Sequence, residues 1–436
     1  SADKLIRKYD PLLKEVDCPP PHDVVNTILE ADSNYNSLSN KHLDIVNRFI
    51  LMFVAQQPEC RSHAQQLDVT KYYRLRSRIK FVLNGALRAV EDAKISLDAS
   101  RVIADKNQST DAKENLATSI KQYAHVTLET QGPECAKPLL LEVEQLMREI
   151  AEELKTPNAR KNLAFAIFDL ATMTRDIDGP ECAKPFFLEV ERLMRGLAEE
   201  LKTPNARRDL ASATYHLAKL TNDLDGPLAS KPLFIENERL MRELAAELNT
   251  PSAFKDLANA TYHLATLMRE IDGPAVAKPL FVEHQRLMRT LAEELNTPGA
   301  RHGLAFATSQ VATVTNDIDG PQAAKPIFVE YEQLMLELAE ELKTPSARQN
   351  SAIATFHLAT VTRDIDGPAA AKPLFERYEQ LMRTLEEELK TPSTRQSLAI
   401  ATYHLGTVTW DVDGPKAAKP LFIENERLMR ELAAEL

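Results

Sequence analysis

Proline-containing pairs recur through most of this 436-residue chain at one fixed spacing. Thr-Pro begins at Thr156, Thr203, Thr250, Thr297, Thr344 and Thr391, each 47 residues after the last and with no insertion. Gly-Pro begins at Gly132, Gly179, Gly226, Gly273, Gly320, Gly367 and Gly414, and Lys-Pro runs from Lys137 to Lys419 in the same register. These pairs hold 20 of the 25 prolines, so the excess of proline over 12 glycines marks unit boundaries rather than a disordered linker. A fixed period of about 20–50 residues restricts a chain to a solenoid or an array. Seven copies fill 109–436, and 1–108 lacks the period.

Each copy reads as two helices. Thr156 is a good N-cap, and Pro157 suits the first helical position because its missing N–H would be unpaired there. Helix A then runs to about Asp178, with Leu163, Ile167, Leu170, Ala171 and Thr174 on one face of a 3.6-residue period. Gly179-Pro180 is a stop signal. Helix B reaches about Leu201, with a wide apolar stripe of Phe186, Phe187, Val190, Leu193, Met194, Leu197 and Leu201. Pro185 leaves two readings open: helix B begins near it, or the helix tolerates a missing hydrogen bond in its second turn. Two columns of small residues mark close helix approach. One holds Ala166, Ala213, Ala260, Ala307, Ala354 and Ala401; the other holds Ala136, Ala183, Ala277, Ala324, Ala371 and Ala418, with Ser230 as its exception. One hairpin cannot bury these faces, whereas stacked copies can.

The Leu-(Ala/Gly) pair of helix A (Leu217-Ala218, Leu405-Gly406), the glycine turn and the Ala-x-Pro-Leu-Phe opening of helix B resemble the tetratricopeptide repeat, in its long-period, kinesin-light-chain-like and bacterial variety. The resemblance covers 109–436 and departs from the family in two ways. Threonine (Thr221, Thr409) stands where an aromatic is usual, and the period is 47 rather than 34 or 42, close to that of HEAT and armadillo repeats. It implies an all-α fold: a helical-hairpin solenoid of seven repeats, after a helical N-terminal region (1–108) of no recognised family. The copies are unusually alike; Lys231–Leu248 and Lys419–Leu436 are the same string, an identity beyond what packing requires.

The net charge is −11, with +2 in 1–108 and −13 in the repeats, which argues against a general nucleic-acid partner. The basic and aromatic run Lys71–Lys80 fits a helix with an arginine-lined solvated face better than a nucleic-acid site. Acid pairs such as Glu199-Glu200 and the Glu386–Glu388 run read as a solvated face. Further helical patterns occupy 3–16, 23–34, 39–57 and 69–95, with a stiff break at Cys18–Pro21. The longest apolar run, Phe49–Ala55, is too short for a membrane span, and no signal peptide is visible. Four cysteines without a CxxC fit a reduced, cytoplasmic compartment. The common local signatures of catalysis (GxxxxGK(S/T), HExxH, GxSxG, GxGxxG) are absent, so neither an enzyme nor a cofactor is expected.

In tetratricopeptide folds helix A lines the concave groove, and the resemblance carries this onto three columns. One reads Gln122, Asp169, His216, His263, Gln310, His357, His404; the next Lys121, Phe168, Tyr215, Tyr262, Ser309, Phe356, Tyr403; the third Leu128, Arg175, Asn222, Arg269, Asn316, Arg363, Trp410. The expected peptide-binding groove is therefore Phe168, Arg175, Tyr215, His216, Tyr262, His263, Arg269, Phe356, His357, Arg363, Tyr403, His404 and Trp410. The alternative is that Tyr-His pairs pack between adjacent A helices. A metal bridging the histidines is not expected, since neighbouring helices sit about 10 Å apart and zinc–nitrogen bonds are near 2 Å. The expected role is a non-catalytic scaffold for a protein or peptide. Two alternatives are a self-assembling solenoid, associating through an apolar end at Leu421, Phe422, Met429 and Leu432, and the sensor arm of a larger signalling or defence protein.

Overall fold

The computed structural model describes residues 63–435 together with Val46. The expected helices at 3–16, 23–34 and 39–57 and the Cys18 break lie outside the described residues, apart from Val46, which is helical and buried. Sixteen α-helices and no strand occupy the described residues. They are α1 (His63–Asn84), α2 (Ala86–Lys106), α3 (Thr110–Gln131), α4 (Pro133–Leu154), α5 (Pro157–Asp178), α6 (Pro180–Leu201), α7 (Pro204–Asp225) and α8 (Pro227–Leu248). There follow α9 (Pro251–Asp272), α10 (Pro274–Leu295), α11 (Pro298–Asp319), α12 (Pro321–Leu342), α13 (Pro345–Asp366), α14 (Pro368–Leu389), α15 (Pro392–Asp413) and α16 (Pro415–Glu435). Odd-numbered helices are helix A and even-numbered ones helix B of successive hairpins, which makes an all-α helical solenoid. The chain divides into two units, Ser1–Leu224 and Asp225–Leu436. Within each, a helix packs along the next in sequence. No described helix is long and apolar enough to cross a membrane.

The punctuation does what its chemistry demands. Each Thr N-cap side chain accepts from the backbone N–H three residues on, as Thr156 does from Ala159 at 3.2 Å and Thr250 from Ala253 at 3.3 Å. Helix B ends on Lys or Asn in the left-handed region, as at Lys202 (φ 52) and Asn249 (φ 47). One glycine alone joins A to B and folds the pair back on itself. Gly273 sits at φ 87, ψ 173, a region open essentially only to glycine. A Cβ there would meet nothing within 4 Å, so the requirement is the backbone's own. Gly273→Ala is therefore expected to cost about 1–3 kcal/mol. Gly196→Ala, on the exposed side of α6 with equally free space, should be stabilising by up to about 1 kcal/mol. Chemical denaturation of the two variants checks the contrast.

Of the two readings left open for Pro185, the structure takes the second: α6 begins at Pro180 and continues across Pro185. The expected helix at 69–95 is corrected to two, because Gly85 (φ 82) turns the chain between α1 and α2. Gly85 stands 47 residues before Gly132, and Ala89, fully buried, extends the Ala136 column one step back. Residues 63–106 thus form a hairpin in phase with the repeats.

Both small-residue columns are buried, from Ala213 (6%) to Ala371 and Ser230 (0%). Ala260→Leu and Ala371→Leu are expected to cost about 1–3 kcal/mol each through overpacking; a loss of only a few tenths in denaturation would mean the neighbouring helices give way. Leu201, expected in the apolar stripe, is 41% exposed at the end of α6. The acid expected on a solvated face is exposed at Glu199, Glu200, Glu387 and Glu388 and half-buried at Glu386, and part of it is ion-paired. Glu200 takes Arg160, Glu388 takes Arg348 and Glu386 takes Arg395. From hairpin to hairpin, Lys231 reaches Asp272 at 2.7 Å and Arg148 reaches Glu189 at 2.9 Å. Single exposed pairs contribute little, but their regular spacing fixes the register of one hairpin on the next.

Candidate functional site

The histidine column sits where helix A meets the helix B of the preceding hairpin. In unit 1, His216 on α7 is half-buried, stacked on the buried Phe187 of α6 (ring centroids 6.5 Å) and edge-on to Phe168 (4.8 Å). In unit 2 the arrangement repeats: His357 stacks on Phe328 at 5.8 Å, and His404 stacks on Phe375 at 6.0 Å and meets Phe356 at 4.9 Å. The B-helix phenylalanines are the core of each step, with Phe281 and Phe375 at 1% and 0% exposure. Burial lowers the pKa of His216, and the charges of Arg175 and Lys219 lower it further. Burial also lowers His357, and burial followed by Arg363 lowers His404. These rings are therefore neutral near pH 7.

The neighbouring column is half-buried through most of its length. Tyr262 packs on Phe281, His284 and Phe306, and Phe356 packs on Phe375 and Tyr378. Tyr215 touches His216 at 5.3 Å. Tyr403 is exposed and leans on Phe422. In the third column the arginines are ion-paired: Arg175 with Asp176, Arg269 with Asp317, Arg363 with Asp364. Trp410 is 51% exposed and edge-on to Phe422 at 6.3 Å. Of the expected apolar end, Leu432 is buried, Leu421 and Phe422 are half-buried, and Met429 is exposed.

Of the expected residues, Phe168, Arg175, Tyr215 and His216 lie in unit 1 and the others in unit 2, each with the local neighbours given above. Sequence reasoning missed a fourth column, three positions before the aromatic one. Phe306 (37%), Ile353 (38%) and Ile400 (45%) are exposed on three successive A helices of unit 2. Phe165 (40%) holds the same position in unit 1, with Lys161 Nζ 5.4 Å from its ring centroid. The signal was available, because Ser212 and Asn259 show that this position tolerates polar residues. Another missed residue is His284 on α10, 2% exposed, whose Nδ1 donates to Ala258 O at 2.9 Å while Nε2 is buried without a partner. Among the described residues no three His, Cys, Asp or Glu side chains converge as a metal site would require.

No family model matches the chain, and no curated protein does either. Solved structures do resemble it. The apo form of RapI is 12% identical over 94% of this chain and 99% of its own, with a TM-score of 0.49. BtubC from P. vanneervenii is 11% identical over 57% of this chain and 90% of its own, TM-score 0.45. A signal-transduction ATPase with a tetratricopeptide repeat sensor, from Pyrococcus horikoshii, is 9% identical over 90% of this chain and 54% of its own, TM-score 0.46.

Proposed function

We propose that the protein is a non-catalytic scaffold that binds an apolar peptide segment of a partner along the helix A face of unit 2. One observation carries this reading: Phe306, Ile353 and Ile400 stand exposed at one register position on three consecutive A helices. Stacking does not require them, because the same position holds asparagine at Asn259, also exposed. Tyr403 and Trp410, on α15 with Ile400, are also exposed. Helix packing spaces such residues about 10 Å apart, which suits alternate anchors of an extended peptide or successive turns of a helical one.

The test uses peptides selected from a random library on the full chain. Affinity is then measured for the triple variant Phe306→Asn, Ile353→Asn, Ile400→Asn, which borrows the side chain of Asn259. Binding should weaken at least tenfold, while melting falls only slightly, because Ile353 and Ile400 lie outside the core and Phe306 gives up only its edge-on contact with Tyr262. Selected peptides that bind both proteins equally would overturn the reading. Tyr262→Ala is a poor probe by comparison, since it also removes packing against Phe281 and His284.

A further inference from the structure

Arg74 on α1 lacks what the cations around it possess. Arg76 makes a two-pronged pair with Asp92, its Nε at 2.8 Å and Nη2 at 2.5 Å, and Lys80 Nζ reaches the same carboxylate at 2.8 Å. That carboxylate, 1% exposed, is fully engaged by those two cations. Arg74 instead donates from Nη1 to neutral acceptors on α3: Ser119 Oγ at 3.0 Å, Asn115 Oδ1 at 3.2 Å and Asn115 O at 3.5 Å. Among the described residues no carboxylate pairs with it. Burial pulls the guanidinium down to about 10, with the like charge of Arg78 adding to the effect. At pH 7 the group is still a cation, held partly out of water with no counter-charge among the described residues, an arrangement that costs free energy.

Its acceptors are held rigidly. Ser96, Ser100, Ser119 and Thr70 are all 0% exposed, and Asn115 is 7% exposed. Ser100 Oγ lies 2.8 Å from Ser119 Oγ and accepts from Asn115 Nδ2 at 3.0 Å. Ser96 donates to Thr70 O at 2.9 Å, and Thr70 Oγ1 donates to Asn115 Oδ1 at 2.9 Å. This network fixes Asn115 Oδ1 and Ser119 Oγ against Nη1. It leaves the Nε and Nη2 edge, the fork that matches an oxyanion in two parallel hydrogen bonds, without an acceptor among the described residues. Arg74 also stands 47 residues before Lys121, which is followed at the same spacing by Phe168 and then Tyr215, so it occupies the helix A column of the candidate site in unit 1.

We propose that Arg74 is the anchor of an oxyanion-binding site between α1 and α3, taking a carboxylate or phosphate group of a ligand. The cost of the uncompensated cation is then the signature of a site built for an anion, and binding removes it. This inference is independent of the apolar surface in unit 2. Thermal melting of the full chain tests it in chloride, acetate and inorganic phosphate buffers of equal ionic strength. The proteins compared are wild type, Arg74→Gln and Arg430→Gln, the last altering an exposed arginine of α16. In chloride, Arg74→Gln should melt at or above wild type, since an amide replaces an unpaired charge. Acetate, phosphate or both should raise the wild-type and Arg430→Gln melting temperatures saturably, by about 1–3 °C at a tenfold excess over Kd, and leave Arg74→Gln unmoved. A response to acetate alone assigns the site to carboxylates, and to phosphate alone to phosphate groups. Arg74→Gln melting well below wild type in chloride would make Arg74 a structural tie and overturn the proposal. So would the absence of saturable stabilisation, or equal stabilisation of all three proteins.

Discussion

Arg377→Glu is expected to destabilise unit 2 by about 2–3 kcal/mol, and a second change, Leu336→Arg, to restore most of the loss. At three steps an arginine of helix B pairs both with the glutamate four residues before it and with a glutamate 41 residues ahead on the next B helix. Arg148 bridges Glu144 and Glu189, Arg242 bridges Glu238 and Glu283, and Arg383 bridges Glu379 and Glu424. At the α12–α14 step the arginine position holds Leu336 and the forward glutamate position holds Arg377. The pair survives with its ends exchanged, as Arg377 Nη1 reaches back to Glu332 Oε1 at 3.1 Å. Glu332 is 8% exposed, and Thr355 Oγ1, also 3.1 Å away, is neutral. Removing the cation strands a buried carboxylate and adds a second beside it. A fully buried pair loses about 3–5 kcal/mol when broken; Arg377 is half in water, hence the lower figure. Leu336→Arg rebuilds the Glu–Arg–Glu bridge of those three steps, whereas Leu336→Arg alone places two guanidinium groups together and should cost about 1 kcal/mol. Calorimetric melting of the four proteins, with hydrogen exchange mapped to α12–α14, measures the coupling. Additive losses would show that the exchange of ends is without consequence. The exchanged step also makes one junction among near-identical repeats unlike its neighbours, so a hairpin stacked out of register there would meet like charges.

How much of this was legible in the sequence depends on where the constraint is local. Thr-Pro and Gly-Pro state helix ends through capping, a fixed proline φ and a glycine-only turn, and the helices begin and end where those pairs stand, whereas Lys-Pro lies inside helix B. The hairpin at 63–106 kept only Gly85 and Ala89 of that punctuation. Its interior is partly hydroxyl-lined, with Ser77, Ser96 and Ser100 fully buried, so a count of apolar spacing passes over it. The candidate site was legible by column and not by orientation. Periodicity places Tyr262 and His357 on one side of helix A, but cannot say that the next layer, Phe281 or Phe328, closes over part of each ring. Phe306, Ile353 and Ile400 lie 47 residues apart in a column that also holds Ser212 and Asn259, and become a surface only when three hairpins stack. The exchanged pair at Glu332 and Arg377 needed the partner 45 residues away to be known before either departure made sense.

Acid is expected to loosen the stack before it titrates the carboxylates. Burial lowers the pKa of His284, His357 and His404 in unit 2 and of His216 in unit 1. The unfolded chain, with histidines near 6.5, then binds more protons than the native one over the interval from about 6.5 down to the lowered native values. Stability is fully present above that interval and falls as pH drops through it. His284 has the most to lose, because protonation places a second N–H on Nε2, which is buried and has no acceptor. The carboxylates act elsewhere: Arg286 holds Glu283 and Arg427 holds Glu424 below the ordinary carboxylate range. Their contribution is therefore lost only at more acidic pH. Melting temperature should accordingly drop by several degrees between pH 7 and pH 5, with salt having little effect on the buried rings. The control comes from the protein's own repeats. Asn425, at the register position of His284, donates Nδ2 to Ala399 O at 2.7 Å much as His284 donates to Ala258 O, and Gln310 occupies the register of His357 and His404. The triple variant His284→Asn, His357→Gln, His404→Gln should fold and lose most of the pH dependence of unit 2. A triple variant as acid-sensitive as wild type would assign the sensitivity to other groups, and a wild-type melting temperature flat from pH 7 to 5 would mean the stacked rings accept a proton without cost.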